Sequence, residues 1–200
     1  MTSARLLAEW KRAAEGGDAE AAWALGDAYE NGETFAEGRR VEVRRERAEA
    51  IRWFRVAAGL GNTEAMGCLG TLLTDSARAD EIAEGIAWLK RAHRRGDSCA
   101  AHNLAVTYSE LGNRRRCAAW LKKSLGNREG SALFLLGIAY AAGYGVRKDL
   151  AAAARLFRKV AAGKNEFPVE REEARGFLKM IEKGRPIRVV GSIGRVHPEK

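Results

Sequence analysis

Residues 136–149, LGIAYAAGYGVRKD, decide between two interpretations of this chain. A glycine-rich stretch can cradle a phosphate group, but such a loop follows a β-strand and opens a helix. Here the residues before the glycines have helical spacing, because Leu136 and Tyr140 are four positions apart and share one helical face. Gly143 and Gly145 permit the positive φ angles of a tight turn. The stretch is therefore predicted to be the end of one helix, a glycine turn and the start of a second helix.

The same pattern occurs four times along the chain. In each copy an alanine, a leucine and a bulky residue follow at intervals of four, so they lie on one helical face. The four sets are Ala21, Leu25 and Tyr29; Ala65, Leu69 and Leu73; Ala100, Leu104 and Tyr108; and Ala132, Leu136 and Tyr140. A second helix with a bulky pair follows each set. The leucines are 44, 35 and 32 residues apart, and such periods are typical of stacked helical repeats.

These positions resemble the Sel-one-like repeat family, which is related to the tetratricopeptide repeats. The fourth copy matches the family pattern from Ala132, through the two glycines and Asp149, to Phe157. The two middle copies have shorter connections without the double glycine. The resemblance implies an all-α fold, a right-handed α-solenoid of antiparallel helix pairs with a C-terminal capping helix. Asp149 is expected in the first turn of its helix, where it complements the helix dipole.

The repeats divide the chain into predicted segments. A leading half-repeat helix occupies residues 1–18, and four repeats fill 19–163, at about 19–61, 62–96, 97–126 and 127–163. A capping helix is predicted over 168–183 and an extended basic tail over 184–200. Four glycines are expected to end the second helices in a left-handed C-cap. They are Gly17, Gly61, Gly96 and Gly163, and three of them precede the plausible N-caps Asp18, Asn62 and Asp97.

Two segments leave alternatives open. The insertion from Glu33 to Val41 in the first repeat is interpreted as a contact loop or a spacer. The tail contains Ile187, Val189, Val190, Ile193 and Val196, so it is not expected to be purely solvated. It either packs on its own array or binds another chain.

Composition places the chain among ordinary globular proteins, with 46% hydrophobic and 30% charged residues. The sequence has no apolar run of the roughly 20 residues that a membrane span needs and no secretory signal pattern, so a cytoplasmic location is expected. The three cysteines form no CxxC pair and are expected to be reduced. Of the net charge of +9, +4 comes from the last 18 residues. The net charge alone therefore does not support a groove that binds nucleic acid.

Catalysis has no support in the sequence. The histidines, His93, His102 and His197, lack metal-ligand spacing. The carboxylates are interleaved with lysine and arginine, a pattern typical of solvated helical faces. The sequence shows no nucleophile that is paired with a general base and an orienting group. We therefore expect no enzymatic activity, no metal and no cofactor.

The resemblance implies that the first helix of each pair lines a concave groove. The predicted partner-binding residues are Glu20, Trp23, Asp27, Glu30, Glu64, Thr71, His102, Val106, Phe134 and Ile138. The acidic N-terminal part of this set would attract a basic segment. The apolar part around Phe134 and Ile138 would accept an aliphatic or aromatic anchor. For Trp23 and Phe134 the alternative is plain packing between helices.

The sequence thus predicts a non-catalytic adaptor or scaffold that holds another protein or peptide, of unknown identity, in its groove. It does not predict an oligomeric state. The alternative function uses five arginines, Arg94, Arg95, Arg114, Arg115 and Arg116, the last three assigned to a loop. Together with the basic tail, they could contact nucleic acid or an anionic surface.

Overall fold

The computed structural model describes residues 3–36, 39–126, 129–163, 168–189 and 192–193. The described residues form ten α-helices and one two-stranded sheet, which confirms the predicted all-α class of repeated helix pairs apart from one hairpin. The elements are α1 Ser3–Glu15, α2 Ala19–Asn31, β1 Glu33–Ala36, β2 Arg39–Glu42, α3 Arg47–Gly59, α4 Thr63–Thr74, α5 Ala79–Arg94, α6 Ala100–Glu110, α7 Arg114–Lys123, α8 Glu129–Ala142, α9 Leu150–Ala162 and α10 Pro168–Glu182. They fall into two compact units, residues 1–97 and 98–200.

The first unit contains α1 to α5 and the hairpin. Two of its helices begin at the predicted capping residues. The Asp18 carboxylate accepts hydrogen bonds from the backbone N–H groups of Glu20 and Ala21, and the Asn62 side chain accepts one from Ala65. These bonds satisfy N–H groups that the first helical turn leaves without a partner. Asp18 and Asn62 are therefore confirmed as N-caps.

The insertion after α2 is a β-hairpin. β1 and β2 are antiparallel, with Thr34 opposite Val41 and Glu33 opposite Glu42 in the register. An ion pair joins Arg40 to Glu33. Neither predicted alternative, loop or spacer, anticipated strands here.

Close approach between paired helices depends on glycine in the Leu-Gly motif. A Cβ on Gly26 of α2 would lie 2.5 Å from Cδ1 of Phe54 on α3. A Cβ on Gly70 of α4 would lie 2.6 Å from Cγ of Leu89 on α5. Phe54 and Leu89 are completely buried, so the glycine lets the bulky residue of the second helix lie directly against the first.

The second unit contains α6 to α10. The glycine turn between α8 and α9 is confirmed, since Gly143 and Gly145 have φ angles of 71° and 70°. Asp149 is the N-cap of α9 and its carboxylate accepts from Ala152 N–H, so its assignment to the first turn was wrong by one position. Gly163 has φ −60° and ψ 142°, and the left-handed C-cap predicted there is also wrong. Gly17, Gly61 and Gly96 do have positive φ.

The capping helix α10 packs on the last repeat through an aromatic cluster. The rings of Phe157 on α9 and Phe177 on α10 stack with centroids 5.2 Å apart. Phe134 on α8 lies 6.0 Å from Phe157 and 5.9 Å from Phe177. All three are buried, so α10 covers apolar surface of α8 and α9 that the end of a repeat array otherwise exposes.

Within the described residues, no helix combines the length and the apolar character that crossing a membrane requires.

Candidate functional site

Carboxylates gather on one face of the first unit, where α2 and α4 lie side by side. We call the residues Glu20, Asp27, Glu30, Glu64, Cys68 and Asp97 the acidic face. The spacing of Asp27 and Glu30 on α2, and of Glu64 and Cys68 on α4, directs each pair to one side of its helix. A hydrogen bond of 2.8 Å from Asn62 Nδ2 to Glu20 Oε1 ties the start of α4 to α2.

The Cys68 thiol marks the point where these charges converge. Burial, followed by the negative charges of Glu30, Glu64, Asp27 and Asp97, raises its pKa to about 12. Glu64 precedes Cys68 by one helical turn, and Asp97 Oδ2 lies against Gly67, the residue before Cys68. The thiol is therefore protonated at neutral pH and is a poor nucleophile.

Two carboxyl groups of the acidic face have raised pKa values themselves. Burial raises the pKa of Asp27, although a hydrogen bond from Asn31 opposes the effect. Burial also raises the pKa of Glu30, and the neighbouring Asp27 adds to it, while Arg45 and Arg47 act in the opposite direction. Burial and mutual repulsion therefore disfavour the charged forms of these carboxyl groups, and a cation bound beside them would reduce this penalty.

Gly67 allows the carboxylate of Asp97 to approach α4 closely. A Cβ on Gly67 of α4 would collide with Oδ2 of Asp97. Any larger residue at position 67 would displace Asp97, so the acidic face depends on this glycine.

Trp23 and Thr71 complete the predicted positions in the first unit. Trp23 lies one turn before Asp27 and is half-buried, and its Nε1 is buried with no hydrogen-bond partner among the described residues. Thr71 is exposed, and its hydroxyl donates to the Gly67 carbonyl within α4 at 2.9 Å. The first unit therefore brings most of its predicted site residues to one face.

In the second unit the predicted positions do not form an open apolar groove. Phe134 and Ile138 are 6% and 1% exposed, and Phe134 belongs to the aromatic cluster under α10. Their predicted role as anchors for an external partner is wrong, because α8 is apolar on every side and is buried between its neighbours. His102 is half-buried, whereas Val106 is 37% exposed.

The tail segment, residues 185–189 and 192–193, occupies part of this unit. Ile187 and Ile193 are buried, and the Ile193 N–H donates to Ser109 Oγ at 2.7 Å. The same oxygen shares a hydrogen bond of 3.1 Å with the Tyr144 hydroxyl. Of the two alternatives left by the sequence, the described part of the tail packs on its own chain.

The arginine triplet lies in the first turn of α7 and not in a loop, which corrects the prediction. The guanidinium of Arg114 lies 5.2 Å from the ring centre of Tyr144, and that of Arg116 lies 5.4 Å from Tyr108. Arg115 is exposed. Two of the three arginines therefore cover tyrosine rings of their own unit.

The other two arginines of the alternative surface lie in the first unit, at the end of α5. Arg94 is the last residue of that helix and is exposed. Arg95 follows as the C-cap, and its Nε donates to Thr63 Oγ1 at 3.3 Å.

Charge differs strongly between the two units. Residues 1–97 contain 15 Lys and Arg against 17 Asp and Glu, while residues 98–200 contain 20 against 9. The basic total of the chain therefore comes from the second unit. The first unit is slightly acidic, in agreement with its acidic face.

No metal site is evident in the part of the chain that the structure describes. No group of three or more His, Cys, Asp or Glu side chains there is arranged to hold a metal ion. The carboxylates of the acidic face surround a protonated thiol and not a nucleophile with a base. The arrangement is suited to attracting a cationic group.

Known structures share this fold. A protective antigen of uropathogenic Escherichia coli that displays an SLR fold aligns with a TM-score of 0.71 and 24% identity, over 88% of this chain. This chain spans 36% of that protein. A Sel1 repeat protein from Oxalobacter formigenes aligns with a TM-score of 0.61 and 23% identity, over 86% of this chain and 73% of the other. No protein-family model and no curated protein sequence matches.

These alignments confirm the predicted resemblance at the level of the fold. The chain is a helical repeat protein with the Sel1-like (SLR) fold.

Sequence reasoning missed the centre of the acidic face. Cys68 and Asp97 were not among the predicted site residues, although Cys68 follows Glu64 by four positions and so lies on the same helical side. Asp97 had no such signal, because its approach to α4 depends on a turn and on the missing side chain of Gly67.

Proposed function

We propose that the protein is a non-catalytic adaptor of the cytoplasm whose first unit binds a basic, extended segment of a partner protein on the acidic face. The observation that carries this proposal is the gathering of carboxylates along α2 and α4, where Asn62 binds Glu20 across the two helices and Asp97 lies against Gly67. Burial raises the pKa of two further members, Asp27 and Glu30. A Lys or Arg side chain placed there would relieve the repulsion between these groups. The half-buried Trp23, one turn away, would contact the aliphatic stem of such a side chain.

The test is fluorescence anisotropy with a labelled ten-residue peptide that contains four lysines, beside a matched peptide with four glutamates. We expect the basic peptide to bind and the acidic peptide not to bind. The variant Asp27→Asn/Glu30→Gln/Glu64→Gln should weaken binding of the basic peptide by about ten-fold or more, since it removes three charges but little volume.

The matched control is Glu170→Gln/Glu173→Gln/Glu182→Gln, which removes the same three charges from α10 in the other unit. It should leave binding within about two-fold of the wild type, because it makes the same change in total charge and leaves every residue of the acidic face in place. Equal weakening by both triple variants would mean that the peptide responds only to total charge, and the acidic face would lose its proposed role.

A second candidate function rests on the charge of the second unit. It contains 20 basic residues and 9 acidic ones. Such a surface would bind a polyanion, as the sequence alternative proposed. In the same assay, a labelled single-stranded oligonucleotide should then bind with a steep loss on raising salt, and Arg114→Gln/Arg115→Gln/Arg116→Gln should weaken it. Binding of the oligonucleotide but not of the basic peptide would favour this candidate over the first.

A further inference from the structure

The tail segment leaves α10 through a turn and returns to the body of the second unit. The turn ends the helix at Gly184, whose φ is 66°, with a hydrogen bond from Arg185 N–H to the Met180 carbonyl. Beyond the turn, Arg185, Pro186 and Arg188 are exposed, while Ile187 and Ile193 are 5% and 2% exposed. The described tail has no regular secondary structure. Ser192 lies in a bend and Ile193 in a turn, and Ile187 and Ile193 are the two buried aliphatic anchors of the segment.

The contact beneath Ile193 is polar as well as apolar. Ser109 Oγ, on the last turn of α6, accepts the Ile193 N–H at 2.7 Å and shares a hydrogen bond with the Tyr144 hydroxyl. It also hydrogen-bonds the buried Cys117 thiol, whose pKa burial raises to about 11. Ser109 and Tyr144 are each 3% exposed. We call Ser109, Cys117 and Tyr144 the serine site.

The serine site has the chemistry that recognises a peptide N–H beside an aliphatic side chain. A buried hydroxyl oxygen that accepts a backbone N–H supplies one main-chain contact, and one branched aliphatic side chain is buried beside it. Because Ser192 and Ile193 lie in a bend and a turn, the ligand that fits here is a turn with a β-branched residue. A helix interior cannot supply the contact, since its N–H groups are already used.

The tail also has the features of a segment that opens more easily than the helices around it. Its described residues form no backbone ladder, and the hydrogen bond to Ser109 is to a side chain. Segments with few buried contacts and few protected backbone hydrogen bonds open at a lower free energy than the packed core.

We propose that the serine site is a binding site for an aliphatic turn of another protein, and that the tail segment is the displaceable intramolecular ligand that fills it in the free protein. Because the tail is tethered, it competes at an effective concentration in the millimolar range. A partner segment must either bind more tightly or act when the tail is open. This proposal concerns the second unit and does not depend on the acidic face of the first.

The first test is native-state hydrogen exchange of the full wild-type chain, followed by mass spectrometry. If the tail opens locally, the amides of residues 187–189 and 192–193 should exchange about 100-fold or more faster than those of α8, while α6 to α9 stay protected. Tail amides as protected as those of α8 would show that the tail is a permanent part of the core and would overturn the proposal.

The second test uses the full-length variant Ile187→Asp/Ile193→Asp and the labelled peptide RPIRVVGSIG, which has the sequence of residues 185–194. Charging both anchors releases the tail, so the peptide should bind the variant about ten-fold or more tightly than it binds the wild type. The same peptide with aspartate at the position of Ile193 should not bind. Val169→Asp, a charge added at a position that is 64% exposed in the same unit, is the matched control and should bind as the wild type does.

Equal binding of the peptide to the wild type and the variant, or absence of saturable binding, contradicts the proposal. Loss of helical circular dichroism by the double variant, with the Val169→Asp control still folded, also contradicts it, since the tail would then be needed for folding.

Discussion

At the scale of single residues, glycines set how closely the paired helices approach. Gly26, Gly70 and Gly137 stand at the same position of their repeats, and at each a Cβ would come within 2.5 to 2.7 Å of a side chain on the second helix. Those side chains are buried and packed, so they have no free volume into which they can withdraw. The Leu-Gly pair of the repeat is therefore a packing requirement.

The substitution Gly137→Ala tests this requirement. Its Cβ would lie 2.7 Å from Cε1 of Phe157, and overpacking of this kind costs about 1–3 kcal/mol. Gly176→Ala is the matched control, because it is also helical and a Cβ there meets nothing within 4 Å. The control should raise stability by about 0.5–1 kcal/mol. Urea unfolding of both variants measures the two effects, and equal signs would refute the packing argument.

The acidic face gives a second prediction at this scale, concerning pH. A raised carboxyl pKa means that the folded state binds protons more readily than the unfolded state, so stability contributed by these groups falls as pH rises. Asp27→Asn/Glu30→Gln should therefore stabilise the protein at about pH 7, and the gain should shrink toward about pH 4, where the native carboxyls become protonated. Urea midpoints at several pH values measure this. A loss of stability at about pH 7 that shrinks as pH falls would mean that the folded state stabilises the two carboxylates, which contradicts the argument.

At the scale of elements, α7 begins with charges of the unfavourable sign. Three arginines occupy its first turn, which has no acidic residue, although the N-terminal end of a helix carries partial positive charge. Asn113 caps the helix by accepting from Arg116 N–H, and the tyrosine rings beneath Arg114 and Arg116 offset part of the repulsion.

We expect Arg115→Glu to stabilise the protein by about 0.3–1 kcal/mol, because it places an anion at the start of α7. Lys159→Glu makes the same charge change in the last turn of α9, where a cation is favourable, and should destabilise by a similar amount. Both positions are exposed. Thermal unfolding at low salt compares the two variants. A change in melting temperature of the same sign for both would mean that net charge, and not the helix dipole, causes the effect.

Some elements of the fold could be predicted from the sequence and others could not. The four-residue spacing of Leu25, Leu69, Leu104 and Leu136 predicts the first helices because one periodic face is buried in each. The hairpin was not predicted, since its two strands are four residues long and follow no repeat. The position of Phe134 was misjudged because α8 is apolar on every face, so periodicity cannot say which side meets α10.

At the scale of the whole molecule, charge is divided unequally between the two units. The second unit has 11 more basic than acidic residues, whereas the first has two fewer. A large net charge destabilises a compact state through self-repulsion, and salt screens that repulsion.

Raising NaCl from about 0.02 M to about 0.5 M should therefore slow hydrogen exchange in α6 to α9 more than in α2 to α5. Exchange measured by mass spectrometry resolves the two units in one sample. The comparison is internal, so each unit serves as the control for the other, and an equal response of both would contradict the argument. The charge division is readable from the sequence once the boundary at residue 97 is known, but the boundary itself depends on tertiary packing.

The hairpin between α2 and α3 has a practical consequence. It extends the connection of one helix pair, and its strands pair with each other, so chain added to this connection would lengthen it at little entropic cost. A fluorescent or affinity label could be inserted at that point while the helices keep their contacts. Such a reporter, next to α2, would allow occupancy of the first unit to be followed in living cells.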